Sequence, residues 1–92
     1  MIQMRKTEVF ARWLDGLRDM RARARVQVRI ERLASGHPGD AKPVSELRID
    51  CGPGYRVYFT KRGSAVVILL AGGDKRTQAA DIRTALRLAQ HL

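Results

Sequence analysis

The feature that most constrains the fold is an apolar run in the second half of the chain, Ala65-Val-Val-Ile-Leu-Leu-Ala71. A membrane-spanning helix needs roughly 20 apolar residues, so this shorter run has instead the length of a buried strand. We expect it to be the central strand of one domain, residues 1–92, because a chain of 92 residues has the usual size of a single domain.

Two helices are predicted on the N-terminal side of the apolar run. Thr7 can cap a first helix that runs to about Leu17. Asp19 can cap a second helix that runs to about Ala34, with Gly36 as its stop signal. The apolar residues that recur at helical spacing are Phe10, Trp13, Leu14 and Leu17 in the first, and Ala22, Val26, Ile30 and Leu33 in the second.

The remainder of the chain is predicted to form strands and one further helix after a loop. The predicted strands are 44–49, 55–60 and 65–71. The last helix starts at about Lys75 or Thr77, and its apolar face consists of Ile82, Ala85, Leu86 and Ala89. Residues 1–5 can add an edge strand in which Ile2 and Met4 share a face. The expected fold class is α+β: two N-terminal helices packed on one face of a small antiparallel sheet, with a C-terminal helix.

Charge is the strongest signal in the composition. Eighteen Lys and Arg residues oppose nine Asp and Glu residues, which gives a net charge of +9, and fourteen of the eighteen are arginine. The planar guanidinium group matches phosphate or carboxylate, so this excess indicates a nucleic acid or an acidic protein as partner. A GC-rich genome also enriches arginine, and composition alone does not decide between these explanations.

The densest basic pattern lies along the second predicted helix. Its members recur every three or four residues and therefore occupy one narrow sector of the helix surface; they are Arg18, Arg21, Arg25, Arg29 and Arg32. Such a stripe can bind an acidic partner segment or phosphate groups. A solvated helix face that only keeps the protein soluble shows the same pattern.

Two further patterns can bind a nucleotide. Gly54-Tyr-Arg-Val-Tyr-Phe59 places Arg56 and Tyr58 together on the strand face opposite the apolar one. On an open sheet face the cation can meet a phosphate and the phenol can stack on a base, although an arginine that merely covers a tyrosine looks the same. In the segment 72–78, Lys75 and Arg76 stand at a helix N-terminus that can hold an anion, while its glycines can simply form the turn.

No metal or other cofactor is expected. Cys51 is the only cysteine, and the two histidines, His37 and His91, lack ligand spacing. His37 fits a surface loop, whereas His91, next to the last residue, is a candidate for proton transfer. The lone thiol and the lack of an apolar signal-peptide core predict a cytoplasmic protein without a membrane segment.

Several segments together resemble a known family of toxins. The segments are Glu46-Leu-Arg-Ile-Asp-Cys-Gly-Pro-Gly-Tyr-Arg-Val-Tyr-Phe59, Gly72-Gly-Asp-Lys-Arg-Thr-Gln78 with Asp81-Ile82 and Ala85, Phe10-Ala-Arg-Trp-Leu14 and Arg29-Ile-Glu-Arg-Leu33. They resemble the HigB-like addiction-module killer proteins of the RelE/ParE superfamily over nearly the whole chain. The resemblance implies the fold expected above and a cognate antitoxin encoded nearby. RelE- and HigB-type members cut mRNA in the ribosomal A site, whereas ParE-type members poison DNA gyrase.

The resemblance also implies roles for individual residues. Arg56 matches an arginine that contacts the scissile phosphate, and Arg76, with Lys75 beside it, matches a second basic position. The family's catalytic tyrosine corresponds to Ile82 here, and Arg48 alone stands on the strand where RelE has a lysine pair. Some relatives use a histidine near the C-terminus, which keeps His91 as a candidate.

Metal-independent RNA cleavage requires a base for the 2′-OH, stabilisation of the phosphorane and an acid for the leaving oxygen. We expect Arg56 and Arg76 to stabilise charge, and Tyr58, Lys75 or His91 to transfer protons. The sequence therefore predicts a ribosome-dependent mRNA endoribonuclease toxin. The alternatives are a gyrase poison without chemistry of its own and a toxin-fold protein that retains only antitoxin and operator binding.

Overall fold

The computed structural model describes residues 2–35 and 42–92. In chain order the elements are β1 (Gln3–Lys6), α1 (Glu8–Asp15), α2 (Met20–Ser35), β2 (Ser45–Ile49), β3 (Tyr55–Arg62), β4 (Val66–Asp74), a short 3-10 helix (Lys75–Thr77) and α3 (Gln78–Gln90). The α+β class is confirmed, as is the strand at the N-terminus. The predicted stop signal Gly36 and the loop residue His37 lie outside the described residues.

The four strands form one mixed sheet in the order β1-β4-β3-β2. β2, β3 and β4 pair antiparallel, whereas β1 pairs parallel with β4, so the prediction of a purely antiparallel sheet is wrong. Parallel pairing needs a long connection, and here two helices and two strands separate β1 from β4. β4 contains the apolar run and lies between β1 and β3, which confirms its predicted central position.

Side-chain caps fix the start of both N-terminal helices. The hydroxyl of Thr7 accepts a hydrogen bond from the backbone N–H of Phe10 at 3.1 Å and donates one to the carbonyl of Leu70 at 2.6 Å. The carboxylate of Asp19 accepts from the backbone N–H groups of Arg21 and Ala22, at 3.0 and 3.3 Å. Both predicted caps are confirmed, and Thr7 also ties α1 to the central strand.

Each face of the sheet carries an apolar core of its own. The core beneath α1 and α2 consists of Phe10, Leu14, Val26, Ile49, Val57, Phe59, Val67 and Leu69. The core beneath α3 consists of Tyr58, Ile68, Leu70, Ala71 and Ala85. Alternate residues of β3 and β4 belong to different cores, so helices cover both faces and the prediction of a one-sided arrangement is wrong. On α3 the predicted Leu86 is exposed, and Leu88 packs against the core instead.

The two glycines near the end of β4 permit close packing from both sides of the sheet. A Cβ on Gly72 would overlap the indole ring of Trp13, and one on Gly73 would overlap the carboxylate of Asp81. Both glycines lie within the strand, and the turn into α3 follows at Lys75–Thr77. Among the described residues, no helix is both long and apolar enough to cross a membrane.

Candidate functional site

Two arginines face each other at the end of the sheet nearest the start of α3. Arg48 of β2 pairs directly with Arg56 of β3, and Arg56 pairs on its other side with Gly73 of β4. Like charges directly opposite one another on a sheet are unfavourable unless a third group compensates them. This end of the sheet therefore requires an anion, either from the chain or from a ligand.

Glu46 supplies part of that compensation. Its Oε1 lies 3.6 Å from Nε of Arg56 and accepts a hydrogen bond from the Gln78 side chain at 2.9 Å. Its Oε2 accepts from Nε of Arg48 at 3.0 Å. One carboxylate thus holds both arginines and the first residue of α3. Sequence reasoning did not select Glu46, although its alternation with Arg48 in β2 places both on one face.

Arg56 is buried rather than lying on a surface. Its side chain is only 11% exposed. Its Nε atom is buried and has no hydrogen-bond partner among the described residues, since 3.6 Å to Glu46 exceeds hydrogen-bond length. Arg56 therefore holds a buried charge beside Glu46 with one donor, Nε, unsatisfied, which is uncommon in a folded protein.

Gly54 lies close to both the Arg56 guanidinium and the base of the Lys75 side chain. A Cβ on Gly54 would lie 3.8 Å from Nη1 of Arg56 and 3.9 Å from Cβ of Lys75. The backbone of Gly54 has φ 79°, a left-handed conformation that favours glycine. Lys75 is exposed and forms no ion pair with a carboxylate of the described residues. Two of the predicted site residues, Arg56 and Lys75, are thus brought together, with Arg48 behind them.

The Arg76 side chain is held by Asp74. The Asp74 carboxylate lies 3.1 Å from Nη2 of Arg76 and accepts a hydrogen bond from the Arg76 backbone N–H at 2.8 Å. These hydrogen bonds lower the pKa of Asp74. Because Asp74 satisfies an N–H group at the helix start, the anion site predicted at this N-terminus is filled in part by the chain's own carboxylate.

Tyr58 lies under α3, so the predicted open sheet face is wrong at this residue. Its side chain is 1% exposed, and its hydroxyl has no hydrogen-bond partner among the described residues. Burial, and then the charges of Glu46 and Asp81, raise its pKa to about 12, against the opposite effect of Arg56. Tyr58 can therefore neither stack on a nucleobase nor act as a base near neutral pH.

His91 lies at the far end of α3 from Arg56. It follows the last helical residue and is exposed. The carbonyl of Ala89, two residues earlier, accepts a hydrogen bond from Arg62, which ends β3, whereas Arg56 stands near its start. A strand rises about 3.3 Å per residue, so roughly 20 Å separates the two ends. The structure does not bring His91 to the predicted phosphate site.

The basic stripe lies along the outer edge of β2. Arg25 and Arg29 of α2 donate hydrogen bonds to the carbonyls of Asp50 and Arg48, at 3.4 and 2.8 Å. Arg18 precedes α2, so its predicted place on that helix is wrong. The stripe and the site around Arg56 are therefore two separate surfaces that share only the strand β2.

Comparison with known proteins gives a relative in a bacterium. No protein-family profile matches the chain. An uncharacterized protein of Haemophilus influenzae (strain ATCC 51907 / DSM 11121 / KW20 / Rd) is 50% identical over 95 residues, which cover 99% of this chain and 96% of that protein. The chain belongs to the same family. At that identity over the full length, the two members share one fold.

The site of this family member offers charge rather than metal ligands. Among residues 2–35 and 42–92, no group of three or more His, Cys, Asp or Glu side chains is placed to hold a metal ion. The carboxylates near Arg56 are engaged: Glu46 with both arginines, and Asp81 with the Thr77 hydroxyl at 2.5 Å. The arrangement can bind a phosphate and stabilise negative charge that develops on it.

Replacing Tyr58 tests whether its hydroxyl has a function. We expect Tyr58→Phe to keep the stability at pH 7 within about 1 kcal/mol of wild type, because the hydroxyl lost is one without a partner. Activity in any assay of the protein should also be retained. A loss of activity in a variant that unfolds at the wild-type temperature would assign the hydroxyl a direct role.

The same variant should change the alkaline stability of the protein. The pKa of Tyr58 is raised from 10.0 to about 12 by folding, so the folded state keeps a proton that the unfolded state has lost. The contribution of the Tyr58 proton to the free energy of unfolding is therefore fully present below pH 10 and is lost as the pH rises from 10 to 12. Chemical denaturation across this range should show a smaller loss for Tyr58→Phe than for wild type. Equal slopes would contradict the raised pKa.

Proposed function

We propose that this protein is the toxin of a type II toxin–antitoxin system and cleaves ribosome-bound mRNA. The observation that carries the proposal is the convergence of Arg48, Arg56 and Lys75 at one end of the sheet, with Arg56 fixed by Glu46 and incompletely satisfied. The segments 46–59 and 72–78, which resemble HigB-like toxins, contribute these four residues. The Haemophilus relative adds that the family occurs in bacteria.

In this proposal the chain mainly supplies charge stabilisation. The scissile phosphate binds beside Gly54, where Nη1 of Arg56 meets it and the pentavalent phosphorane is stabilised. The attacking 2′-OH gives its proton to water, and the exposed Lys75 donates a proton to the leaving 5′ oxygen. Arg76, held by Asp74, contacts a neighbouring phosphate. The ribosome helps to arrange the substrate, so the active form is cytoplasmic and meets its antitoxin there.

A gyrase poison is the second candidate, and a specific observation favours it. Of the three predicted proton carriers, only Lys75 is both beside Arg56 and exposed, since Tyr58 is buried and His91 is at the opposite end of α3. A protein that traps a gyrase–DNA complex needs no proton transfer of its own. The same cationic surface then contacts the DNA backbone or an acidic part of the enzyme.

Induced expression tests the toxin assignment itself. We expect expression of the chain alone to arrest the growth of a bacterial host, and co-expression of the adjacent small gene to restore it. The control is an induced strain that carries a frameshifted copy. Normal growth at a confirmed high level of soluble protein would refute toxicity and leave a toxin-fold protein that only binds an antitoxin and operator DNA.

Mapping the damage in arrested cells separates the two candidate targets. Primer extension on cellular mRNA is expected to show new 5′ ends inside translated regions within minutes of induction, and none in untranslated RNA. Gyrase-linked DNA breaks without new mRNA ends would instead establish the gyrase poison. The two measurements use the same cultures, so expression level does not affect the comparison.

A further inference from the structure

A second surface, distinct from the site around Arg56, is a groove between α2 and the outer edge of β2. Its volume is about 380 Å³. The residues that matter for its chemistry are Arg25, Val28, Arg29, Arg32, Ile49 and Asp50. Three of these carry a positive charge and one a negative charge, so the groove is basic overall and has an apolar part.

The arginines of the groove form no ion pair with a carboxylate of the described residues. Arg25 and Arg32 are exposed, and Arg21 extends their row toward the start of α2. None of the three arginines forms an ion pair with a carboxylate of residues 2–35 or 42–92. Positive charges at spacings of three and four repel one another on a helix, and an acidic occupant removes that repulsion.

The edge of β2 is already covered where the groove meets it. Arg29 and Arg25 donate to the carbonyls of Arg48 and Asp50, which lie two residues apart and so face the same side of the strand. A partner that adds a strand to β2 would need these carbonyls as acceptors. The occupant therefore binds through its side chains, as a helix in a groove does.

The apolar part of the groove favours a protein over a nucleic acid. Val28 is 45% exposed although it is a large aliphatic residue, and Ile49, which is 2% exposed, lines the same groove. A phosphate backbone has no apolar group to place against Val28 and is repelled by Asp50. An amphipathic helix can place an aliphatic residue on Val28 and acidic residues on the arginines.

We propose that this groove binds an acidic amphipathic helix of a partner protein. The identity of that partner rests on the proposed function, which makes it the antitoxin encoded by the adjacent gene. Carboxylates of the helix pair with Arg25 and Arg32, and an aliphatic residue between them covers Val28. The phosphate site around Arg56 remains a separate surface, so the groove supplies affinity for the partner and takes no part in chemistry.

Charge reversal in the groove tests the proposal. The variant Arg25→Glu/Arg32→Glu is compared with Arg83→Glu/Arg87→Glu, which makes the same change in net charge at exposed positions of α3. The probe is the purified product of the adjacent gene, titrated at several salt concentrations. We expect the Kd for the adjacent gene product to rise about 100-fold or more in the groove variant, and to change by less than about 3-fold in the α3 variant.

A third variant separates the apolar contact from the charges. Val28→Asp leaves every arginine in place and should raise the Kd by about 10-fold or more. The partner's acidic helix then loses its aliphatic contact and meets a like charge. All variants change exposed residues, and thermal melts confirm that they fold. Ribosome co-sedimentation and a single-stranded RNA are measured alongside as alternative ligands.

The outcomes decide for or against the groove. A weakened complex for both groove variants, with the α3 variant near wild type, supports the proposal. Wild-type affinity in Arg25→Glu/Arg32→Glu, or no binding of the adjacent gene product by the wild-type chain, overturns it. Loss of ribosome or RNA binding with retained partner binding also overturns it in favour of an RNA surface. Absence of toxicity in the wild type would refute the proposed function, while the binding comparison would still decide the groove.

Discussion

Arg56→Ala is expected to reduce mRNA cleavage by on the order of 10²–10³-fold and to abolish growth arrest, because a group that stabilises charge at the reacting phosphate is lost. The neighbouring cations do not replace it, since Arg48 donates its Nε–H to Glu46 and Lys75 has no guanidinium fork. The measurement is the rate at which purified protein with translating ribosomes generates the mapped 5′ ends.

The same substitution also has a structural cost, which the sequence did not predict. From the alternation of β3 alone, truncation of Arg56 should leave the fold intact, but the side chain is 11% exposed and lies against Glu46. Removing one member of a buried ion pair costs up to about 3–5 kcal/mol. Glu46 keeps Arg48 and Gln78 as partners, so we expect a loss of about 1–3 kcal/mol.

Two control variants distinguish a loss of activity from a loss of folding. Arg56→Lys retains the positive charge without the guanidinium fork and should recover most of the stability but little of the activity. Arg83→Ala removes an exposed arginine on α3 and should change neither. If folded Arg56→Ala cleaves mRNA at the wild-type rate, or stays as toxic as wild type, Arg56 does not contact the scissile phosphate.

Gly72→Ala is expected to cause a large loss of stability, although it adds only one methyl group. The new Cβ would overlap the Trp13 indole ring. That ring cannot simply move, because it packs against Phe10 at a centroid distance of 5.8 Å and against Tyr55 at 6.2 Å. Forcing extra volume into a packed core costs about 1–3 kcal/mol and occasionally more, and this site belongs at the upper end.

Thermal denaturation measures the effect of Gly72→Ala directly. In a domain of this size 1 kcal/mol shifts the Tm by about 4–8 °C, so a decrease of roughly 10–20 °C is expected. Gly63→Ala is the control for backbone strain: its φ of 62° is unfavourable for alanine, but a Cβ there meets no atom within 4 Å, whereas Gly72 has no positive φ and its Cβ would meet the indole ring. Trp13→Leu should restore part of the Tm in the Gly72→Ala background. A decrease for Gly72→Ala no larger than that for Gly63→Ala would show that the overlap with the indole ring is not what requires Gly72.

Local sequence signals predicted the elements of this fold well. Thr7 and Asp19 start helices because their side chains can accept from backbone N–H groups one turn ahead, and both do. The central place of β4 followed from its continuous apolar run. These features depend on near neighbours in the chain, which is why they can be predicted from residues alone.

The properties that the sequence did not predict depend on distant residues. Whether Tyr58 faces solvent is decided by where α3 packs, some twenty residues later, and the alternation within β3 contains no information on that. Whether β1 is parallel or antiparallel depends on which strand it pairs with, here β4, and the residues of β1 alone do not determine that. The alternation of Glu46 with Arg48 is visible in β2, but the contacts of Glu46 with Arg56 and Gln78 join it to other elements, and the pattern within β2 does not contain them.

The link between Thr7 and Leu70 has a consequence for how the protein is synthesised. These residues are 63 positions apart, and β1 pairs only with β4. Ribosomes add about 5–20 residues per second, so the first strand waits several seconds before its partner emerges. Gly73 and Lys75 emerge later still. A nascent chain therefore cannot bring Arg56, Gly73 and Lys75 together until it is almost finished.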